Sequence, residues 1–353
     1  GKKEWVLPQI NNDNIVSLYE GGSNLFWAER FGKLVGVDNL WLKLCGNSHS
    51  GSFKDLGMTV LVSQVKQMIS EGAPIQAVAC ASTGNTGASM AAYAGRAGLQ
   101  ALVFVPSGQV AAGKIAQALA HGVKMLAVKG NFDRCLELVD QASARLGVYL
   151  VNSINPFRLQ GQKTIMFEVL QQLGWDAPDW IALPAGNLGN TAAFGRALIE
   201  AKNYGLTSRV PRLAAIQAAG AAPFAAAYKV NFARIERVEP KTIATAIKIG
   251  NPASYDRAVK SIRETNGVVS AVSDEEILEA KAVIDAAGVG CEPASAASVA
   301  GVRHLVREGV IKPGERVVAV LTGHLLKDPQ PPKANTQIEV GANLDDIERA
   351  IGG

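Results

Sequence analysis

Residues 76–98 read QAVACASTGNTGASMAAYAGRAG, and this stretch decides the fold class. The run Gln76–Cys80 predicts a short buried strand, and Thr86–Ala97, closed by Gly98, predicts a helix. A polar, glycine-rich turn joins the two. A buried strand that passes through such a turn directly into a helix is the repeating unit of α/β proteins with parallel sheets.

The same alternation continues on both sides of this stretch. Apolar residues at helical spacing predict a helix over Asp55–Glu71, upstream of the first strand. Downstream, the predicted elements are the strands Gln100–Val105, Val123–Val128 and Val148–Asn152 and the helices Ala112–Ala120 and Phe132–Leu146. This βαβαβαβ order is typical of a parallel sheet covered by helices on both faces.

A second series of strands and helices occupies the rest of the chain. Predicted strands are Trp180–Pro184, Arg212–Gln217, Val268–Val272 and Arg316–Leu321. Predicted helices are Gly161–Leu173, Asn190–Asn203, Pro223–Tyr228, Ser254–Thr265, Asp274–Ala287 and Pro293–Arg307. Ser273 and Glu276 form a capping box before the fifth of these helices. The predicted fold class is α/β with two open parallel-sheet domains.

The chain length supports a division into two domains, because 353 residues exceed what one compact core usually accommodates. We predict a large domain from residues 1–55 and 152–328 and a small, mobile domain from residues 56–151. Residues 329–353 are predicted to form a C-terminal arm. The acidic residues 344–348 and Glu292 are interpreted as solvent-exposed.

Composition narrows the function classes. Apolar residues make up 48% of the chain and charged residues 19%, which is typical of a globular enzyme. The net charge of +4 is spread without a basic block, so no nucleic-acid partner is expected. The four cysteines lie far apart, which predicts neither a disulfide framework nor a metal site. No apolar run reaches membrane-spanning length, so we expect no membrane partner and a cytoplasmic location.

Lys54 is the first candidate catalytic residue. It lies in the stretch Ser52–Gly57, SFKDLG, directly before the predicted helix. Lysine is the side chain that forms a reversible Schiff base with an aldehyde, and it does so from a dry, preorganised position. An ordinary exposed lysine in a first helical turn is the structural alternative. The helix dipole disfavours a cation there, which favours a functional role.

Two further turns combine glycine with hydroxyl and amide side chains. Ser82, Thr83, Asn85 and Thr86 follow the first strand, and backbone N–H groups at the start of the next helix favour an anion there. The turn Gly186-Asn187-Leu188-Gly189-Asn190 repeats this geometry without the lysine of a nucleotide-binding loop. It fits a phosphomonoester better than a triphosphate; a nucleotide-binding turn and a structural turn are the alternatives.

Other polar residues also follow predicted strands. Thr322 ends the last buried strand, where ligand-binding side chains of open α/β sheets are found, and its hydroxyl is suited to a pyridine nitrogen. Asn152, Ser153 and Arg158 follow the fourth strand, and an arginine binds a phosphate through two parallel hydrogen bonds. A strand-end hydroxyl and a surface ion pair are the structural alternatives.

Taken together, these motifs resemble the threonine synthase family of pyridoxal 5′-phosphate (PLP) enzymes, within the fold type II group of tryptophan synthase β and threonine dehydratase. The resemblance runs from Ile15 to about Asp328 and is greatest to the plant and cyanobacterial branch. It rests on the stretches SNLFWAER at 23–30, SHSGSFKD at 48–55, LQGQKT at 159–164, TIATAI at 242–247, GNP at 250–252 and TGH at 322–324.

The resemblance implies a role for each candidate. Lys54 is implied to hold the PLP aldehyde, Asn85 to contact the phenolic oxygen, and Thr322 the ring nitrogen. The cofactor phosphate is assigned to Gly186, Asn187, Leu188, Gly189 and Asn190. Substrate binding is assigned to Ser82, Thr83, Thr86, Asn152, Ser153 and Arg158.

The implied reaction converts O-phospho-L-homoserine and water to L-threonine and phosphate, in a protein expected to be a homodimer. Another enzyme of the same fold, a cysteate synthase or a serine/threonine dehydratase, is the nearest alternative. A non-catalytic nucleotide-binding module is the remote one, because it gives Lys54 and Thr322 no role.

Overall fold

The computed structural model describes residues 3–82, 84–108, 112–130, 132–329 and 337–351, without the side chains of residues 112–114, 132 and 133. Its strands are β1 (Leu25–Trp27), β2 (Leu40–Leu44), β3 (Ala77–Ala81), β4 (Gln100–Pro106), β5 (Lys124–Val128), β6 (Val148–Leu150), β7 (Trp180–Pro184), β8 (Arg212–Ala218), β9 (Val268–Val272) and β10 (Val317–Leu321).

The α-helices alternate with these strands. They are α1 (Lys3–Val6), α2 (Glu29–Val35), α3 (Lys54–Ser70), α4 (Asn85–Ala97), α5 (Ala112–Ala120), α6 (Phe132–Arg145), α7 (Pro156–Gln172), α8 (Gly189–Asn203), α9 (Pro223–Lys229), α10 (Tyr255–Glu264), α11 (Asp274–Ala286), α12 (Pro293–Arg307) and α13 (Leu344–Ile351). The predicted α/β alternation is therefore confirmed, with most element ends displaced by one or two residues. No helix among the described residues is long and apolar enough to cross a membrane.

The strands form two sheets. The larger has the order β1-β2-β10-β7-β8-β9 and is parallel except for the antiparallel pair β1–β2. The smaller has the order β5-β4-β3-β6 and is parallel throughout. Every residue of β3, β7 and β10 is buried, as expected for central strands covered on both faces. The predicted limits of the two domains stay a prediction; the smaller sheet lies within residues 56–151.

Helices cover both faces of each sheet. One face of the larger sheet packs on α2, α11 and α12, and the other packs on α7, α8 and α10. In the smaller sheet, α3 and α4 cover one face and α6 covers the other. The capping box of α11 is confirmed, with Ser273 Oγ accepting from Glu276 N and the Glu276 carboxylate accepting from Ser273 N.

The structure also contains elements that the sequence pattern did not predict. The antiparallel edge of the larger sheet is built from β1 and β2. In β2, Lys43 is fully buried and donates to the Glu168 carboxylate, the Gln172 side-chain oxygen and the Ser23 carbonyl. The strand β2 was not predicted because this lysine interrupts its apolar pattern. Burial of Lys43 depends on the Glu168 and Gln172 side chains, which lie more than 100 residues away in the sequence. Within the predicted arm, α13 has no buried residue.

Candidate active site

The candidate residues lie at the carboxyl ends of neighbouring strands. Ser82 and Asn85 follow β3, and Asn152 follows β6, which pairs with β3. Asn187 follows β7, and Thr322 follows β10, which pairs with β7. In open parallel sheets this edge is where ligands bind, so the topology brings separate stretches of sequence to one cleft.

Lys54 is the first residue of α3, one position earlier than the predicted helix start at Asp55, and it is half-buried. Its Nζ lies 4.0 Å from the centroid of the Phe53 ring. Burial and, secondarily, the positive Arg158 lower the pKa of the Lys54 amine to about 7, and the negative Glu292 opposes this shift. An amine with this pKa is about half neutral at pH 7, and the neutral amine is the nucleophilic form that attacks an aldehyde.

Thr322 is held beside the loop that carries Lys54. The Thr322 carbonyl accepts a hydrogen bond from Phe53 N at 2.9 Å. The neighbouring residues Ser52 and Gly323 pair as an isolated antiparallel β-bridge. The Thr322 hydroxyl is buried and lies 2.9 Å from Ser295 Oγ, which in turn accepts from Gly323 N. Ser295 therefore orients the Thr322 hydroxyl, although this serine was not among the predicted site residues.

Asn85 begins α4 and reaches across to the larger sheet. Its Nδ2 donates to the two carboxylate oxygens of Glu292, at 3.2 Å and 3.0 Å. The interpretation of Glu292 as solvent-exposed is wrong, because this residue is 5% exposed. It precedes Pro293 at the start of α12, yet its side chain does not cap that helix and turns toward Asn85 instead.

The turn 186–190 forms a cradle at the start of α8. Leu188 adopts a left-handed conformation with φ of 64°, and the first helical hydrogen bond runs from Ala192 N to Leu188 O. The N–H groups of the preceding helical residues have no partner within the helix. Asn190 Oδ1 and Thr191 Oγ1 are buried polar atoms without a hydrogen-bond partner. Such a cradle fits a phosphate group.

Gly186 leaves space for this cradle. A Cβ at this position would lie 2.9 Å from Ile247 Cα, so a larger residue would push the turn and the segment around Ile247 apart. Asn187 fixes the turn from the side: its Nδ2 donates to Ser153 Oγ at 3.0 Å, and its Oδ1 accepts from Ala253 N at 2.7 Å. The turn is thus tied to the segment that follows β6.

That segment carries the second set of anion-binding groups. The predicted helix start at Gly161 is wrong: α7 begins at Pro156, because Asn155 caps it by accepting from Phe157 N and proline is tolerated in the first turn. Arg158 therefore lies in the first turn of α7, 1% exposed. Its Nη1 donates to Val151 O, whereas its Nε is buried without a hydrogen-bond partner. Asn152 Oδ1, in the segment before this helix, is also buried without a partner.

Burial lowers the pKa of Arg158 to about 10, so the guanidinium stays charged at neutral pH. A buried positive charge is stable only when an anion or hydrogen-bond acceptors face it. Among the described residues no carboxylate forms an ion pair with Arg158. The arrangement is suited to an anionic ligand.

The turn after β3 is partly described. Ser82 Oγ accepts from the N–H groups of Gly84 and Gly87, each at 3.3 Å, and so shapes the turn before α4. Thr86 lies half-buried in the first turn of that helix. Thr83 lies outside the described residues.

Close packing of α3 on α7 fixes Lys54 relative to Arg158. A Cβ on Gly57 would lie 3.2 Å from Arg158 O, and a Cβ on Gly161 would lie 1.8 Å from Leu56 O. Two glycines thus allow the backbones to touch directly behind the two charged side chains. The helix separation, and with it the distance between the amine and the guanidinium, is set by this contact.

Three polar residues of the cleft were absent from the predicted set: Glu292, Ser295 and Thr191. Thr191 directly follows the predicted cradle, so extending the motif by one residue would have found it. Glu292 occupies a helix N-cap where Ser, Thr, Asp or Asn is usual, and this departure was the available signal. Ser295 gives no local signal, because its role depends on β10.

The sequence and the fold of this chain are similar to those of known proteins. The family model "Pyridoxal-phosphate dependent enzyme" matches residues 16–323. A chloroplastic threonine synthase of Arabidopsis thaliana is 45% identical over 92% of this chain and 64% of its own length. A threonine synthase of Synechocystis is 46% identical over 98% of this chain and 88% of its own. Maize serine racemase shares the fold, with a TM-score of 0.74 at 20% identity over 88% of this chain and 90% of its own.

Proposed function

Because the chain belongs to the pyridoxal-phosphate dependent enzyme family and matches plant and cyanobacterial threonine synthases, we propose that it converts O-phospho-L-homoserine and water to L-threonine and phosphate. The predicted enzyme class, a PLP-dependent lyase, the predicted cofactor and the predicted threonine synthase function are confirmed by these matches. The observation that carries the substrate assignment is the buried Arg158, which faces no carboxylate partner among the described residues.

The residues of the cleft fit the cofactor. Its phosphate fits the N-terminus of α8, where Asn190 Oδ1 and Thr191 Oγ1 are buried without hydrogen-bond partners. Lys54 would bond its aldehyde, Asn85 would contact its phenolic oxygen, and the Thr322 hydroxyl would contact its ring nitrogen. When bound, PLP supplies an electron sink for carbanions next to the amino-acid nitrogen. A hydroxyl at the ring nitrogen does not hold a proton there, which limits that sink.

The substrate phosphate is assigned to Arg158, Asn152 and Ser153. Arg158 Nε is free to donate, and a guanidinium binds a phosphate through paired, charge-assisted hydrogen bonds. Ser153 Oγ already accepts from Asn187, so its own proton remains available for an anion. The substrate carboxylate is assigned to Ser82, Thr83 and Thr86, at the start of α4, where backbone N–H groups and the helix dipole favour negative charge.

Lys54 is assigned the proton transfers. Its free amine would take the proton from Cα of the substrate and then one from Cβ, and the Cβ electron pair would form a Cβ–Cγ double bond as phosphate leaves Cγ with the electrons of the C–O bond. Lys54 would then return a proton at Cγ. The hydroxyl of water would add at Cβ, and a proton would return to Cα. A group that acts alternately as base and acid works best with a pKa near the operating pH, and the Lys54 pKa of about 7 meets this condition.

Arg158 has a second task in this scheme. It holds the departing phosphate dianion, so that negative charge developing on the leaving oxygen is stabilised by a buried guanidinium. We also propose that the small domain closes over the substrate, that the enzyme is a homodimer and that it acts in the cytoplasm. These assignments rest on the family resemblance.

One assay tests the function. The PLP-loaded protein is incubated with O-phospho-L-homoserine, and phosphate and threonine are quantified in the same sample. Equal amounts of both products support the proposal. Ammonia release from serine or threonine would instead identify a dehydratase, and consumption of phosphoserine with sulfite would identify a cysteate synthase. A PLP-loaded protein that releases neither phosphate nor threonine contradicts the proposed substrate.

A further inference from the structure

Glu292 is a buried acid that the scheme above does not use. It lies at the N-cap of α12 and is 5% exposed, although a carboxylate is rarely buried without a cation in contact. The Glu292 carboxylate accepts hydrogen bonds from the Asn85 amide. The backbone N–H of Glu292 donates to the Gly323 carbonyl at 3.1 Å. Glu292 therefore links α4, through its carboxylate, to Gly323, through its backbone N–H.

The surrounding chain leaves a fitted space for this carboxylate. A Cβ on Gly323 would lie 2.4 Å from both Cδ and Oε1 of Glu292, so a glycine is needed for the approach. The Asn85 Nδ2 contacts both carboxylate oxygens, which fixes the plane of the amide. A primary amide nitrogen carries two hydrogens, and holding one on Glu292 orients the other toward the cleft.

The charges that face Glu292 come from two other elements. Lys54 lies in α3, and Lys327 and Asp328 lie in the segment after β10; all three act on Glu292 through their charges. Burial raises the pKa of the Glu292 carboxyl, whereas the Asn85 amide and the two lysines favour its ionised form. Among the described residues, the charges that shift the pKa of Lys54 are Arg158, which lowers it, and Glu292, which raises it. Glu292 thus opposes the effect of Arg158 on the catalytic amine.

We propose that Glu292 is a positioning residue of the reaction: its carboxylate orients the Asn85 amide toward the cofactor and supplies a negative charge that faces the Lys54 amine. The inference rests on the proposed roles of Lys54 and Asn85. A lysine that is both desolvated and next to an arginine is driven to the neutral form and becomes a weak acid. The Glu292 charge keeps the protonated form accessible, so that Lys54 serves as acid as well as base.

The test is a spectroscopic pH titration of the PLP-loaded protein without substrate. The absorbance of the bound cofactor reports the proton on the Lys54 nitrogen. Glu292→Gln preserves the acceptor for Asn85 but removes the charge, so the titration midpoint should fall by about one pH unit, as expected for the loss of an opposite charge at short range. The matched control is Glu276→Gln in the capping box of α11, which makes the same chemical change and should leave the midpoint unchanged.

The outcomes are decisive. A lower midpoint in Glu292→Gln, with the control unchanged, supports the inference; an unchanged midpoint in the loaded variant overturns it. If Glu292→Gln does not fold or does not retain PLP, Gly323→Ala takes its place, because the added Cβ displaces the carboxylate without removing it. A lower midpoint there supports the inference, and an unchanged one overturns it. Since no substrate is present, the result does not depend on whether threonine is the product.

Discussion

Replacing Gly161 with alanine is expected to misalign the two charged residues of the active site. The added Cβ would lie 1.8 Å from Leu56 O, 2.7 Å from Leu56 C and 2.9 Å from Gly57 Cα. All three atoms belong to the backbone of α3, so no flexible side chain can move aside. The helices α3 and α7 must separate, and Lys54 and Arg158 lie in their first turns.

The size of the effect follows from these distances. An ordinary van der Waals contact begins at 3.4 Å, so the backbones must part by about 1.6 Å. Overpacking costs about 1–3 kcal/mol, and alanine inside a helix returns up to about 1 kcal/mol relative to glycine. The net loss of folding free energy is therefore about 0–2 kcal/mol. A displacement of about 1 Å among reacting groups lowers the rate by about 100-fold.

The assay compares Gly161→Ala with Gly95→Ala. Both glycines lie inside helices, but a Cβ on Gly95 would meet His121 O at 3.8 Å, an ordinary contact. Thermal unfolding and kcat for threonine formation are measured for both variants. We expect Gly161→Ala to unfold at a lower temperature with kcat about 100-fold lower, and Gly95→Ala to be unchanged or slightly more stable with full activity.

Two results would refute this reasoning. Wild-type stability and rate in Gly161→Ala would mean that α3 and α7 do not touch at this point. An equal loss in Gly95→Ala would mean that the alanine side chain, rather than the helix contact, causes the effect.

Three further predictions concern single groups of the cleft. Arg158→Met should raise KM for O-phospho-L-homoserine and weaken inhibition by inorganic phosphate by about 10–100-fold, because a charged hydrogen bond contributes about 1.5–3 kcal/mol. Unchanged inhibition would show that Arg158 does not belong to the phosphate site. The rate of PLP capture by the cofactor-free protein should increase with pH and level off above about pH 7, because the pKa of Lys54 lies below its usual value and the neutral amine is the reactive form. Stopped-flow absorbance measures this rate, and a midpoint above pH 9 would contradict the lowered pKa. Thr191→Val should weaken PLP binding about fivefold in equilibrium dialysis, because it removes one hydrogen bond of about 1 kcal/mol. The control Thr207→Val removes another buried hydroxyl without a partner and should leave PLP binding unchanged.

Local patterns accounted for most of the elements. Parallel strands such as Trp180–Pro184 are continuous apolar runs because both faces are covered, and the following glycine-rich turns mark where each helix begins. The same logic placed Lys54, Asn187 and Thr322 at strand or helix ends, where an open α/β sheet binds ligands. These features depend on residues within a few positions of one another.

Other features depend on distant residues. The strand β2 was missed because the burial of Lys43 requires Glu168, 125 residues away. The start of α7 was placed too late because its cap is made by Asn155, upstream of the apolar pattern.

The sequence by itself determined the fold class, the strand and helix order, and the residue types that handle a phosphate and an aldehyde, because each is encoded in short-range periodicity and turn chemistry. The tertiary structure alone decided that Glu292 is buried against Asn85, 207 residues away, and that Ser295 orients Thr322. The physical reason is that the environment of a charged group is set by whichever elements pack against it. Its contribution to catalysis is therefore decided only when two sheets come together at one cleft.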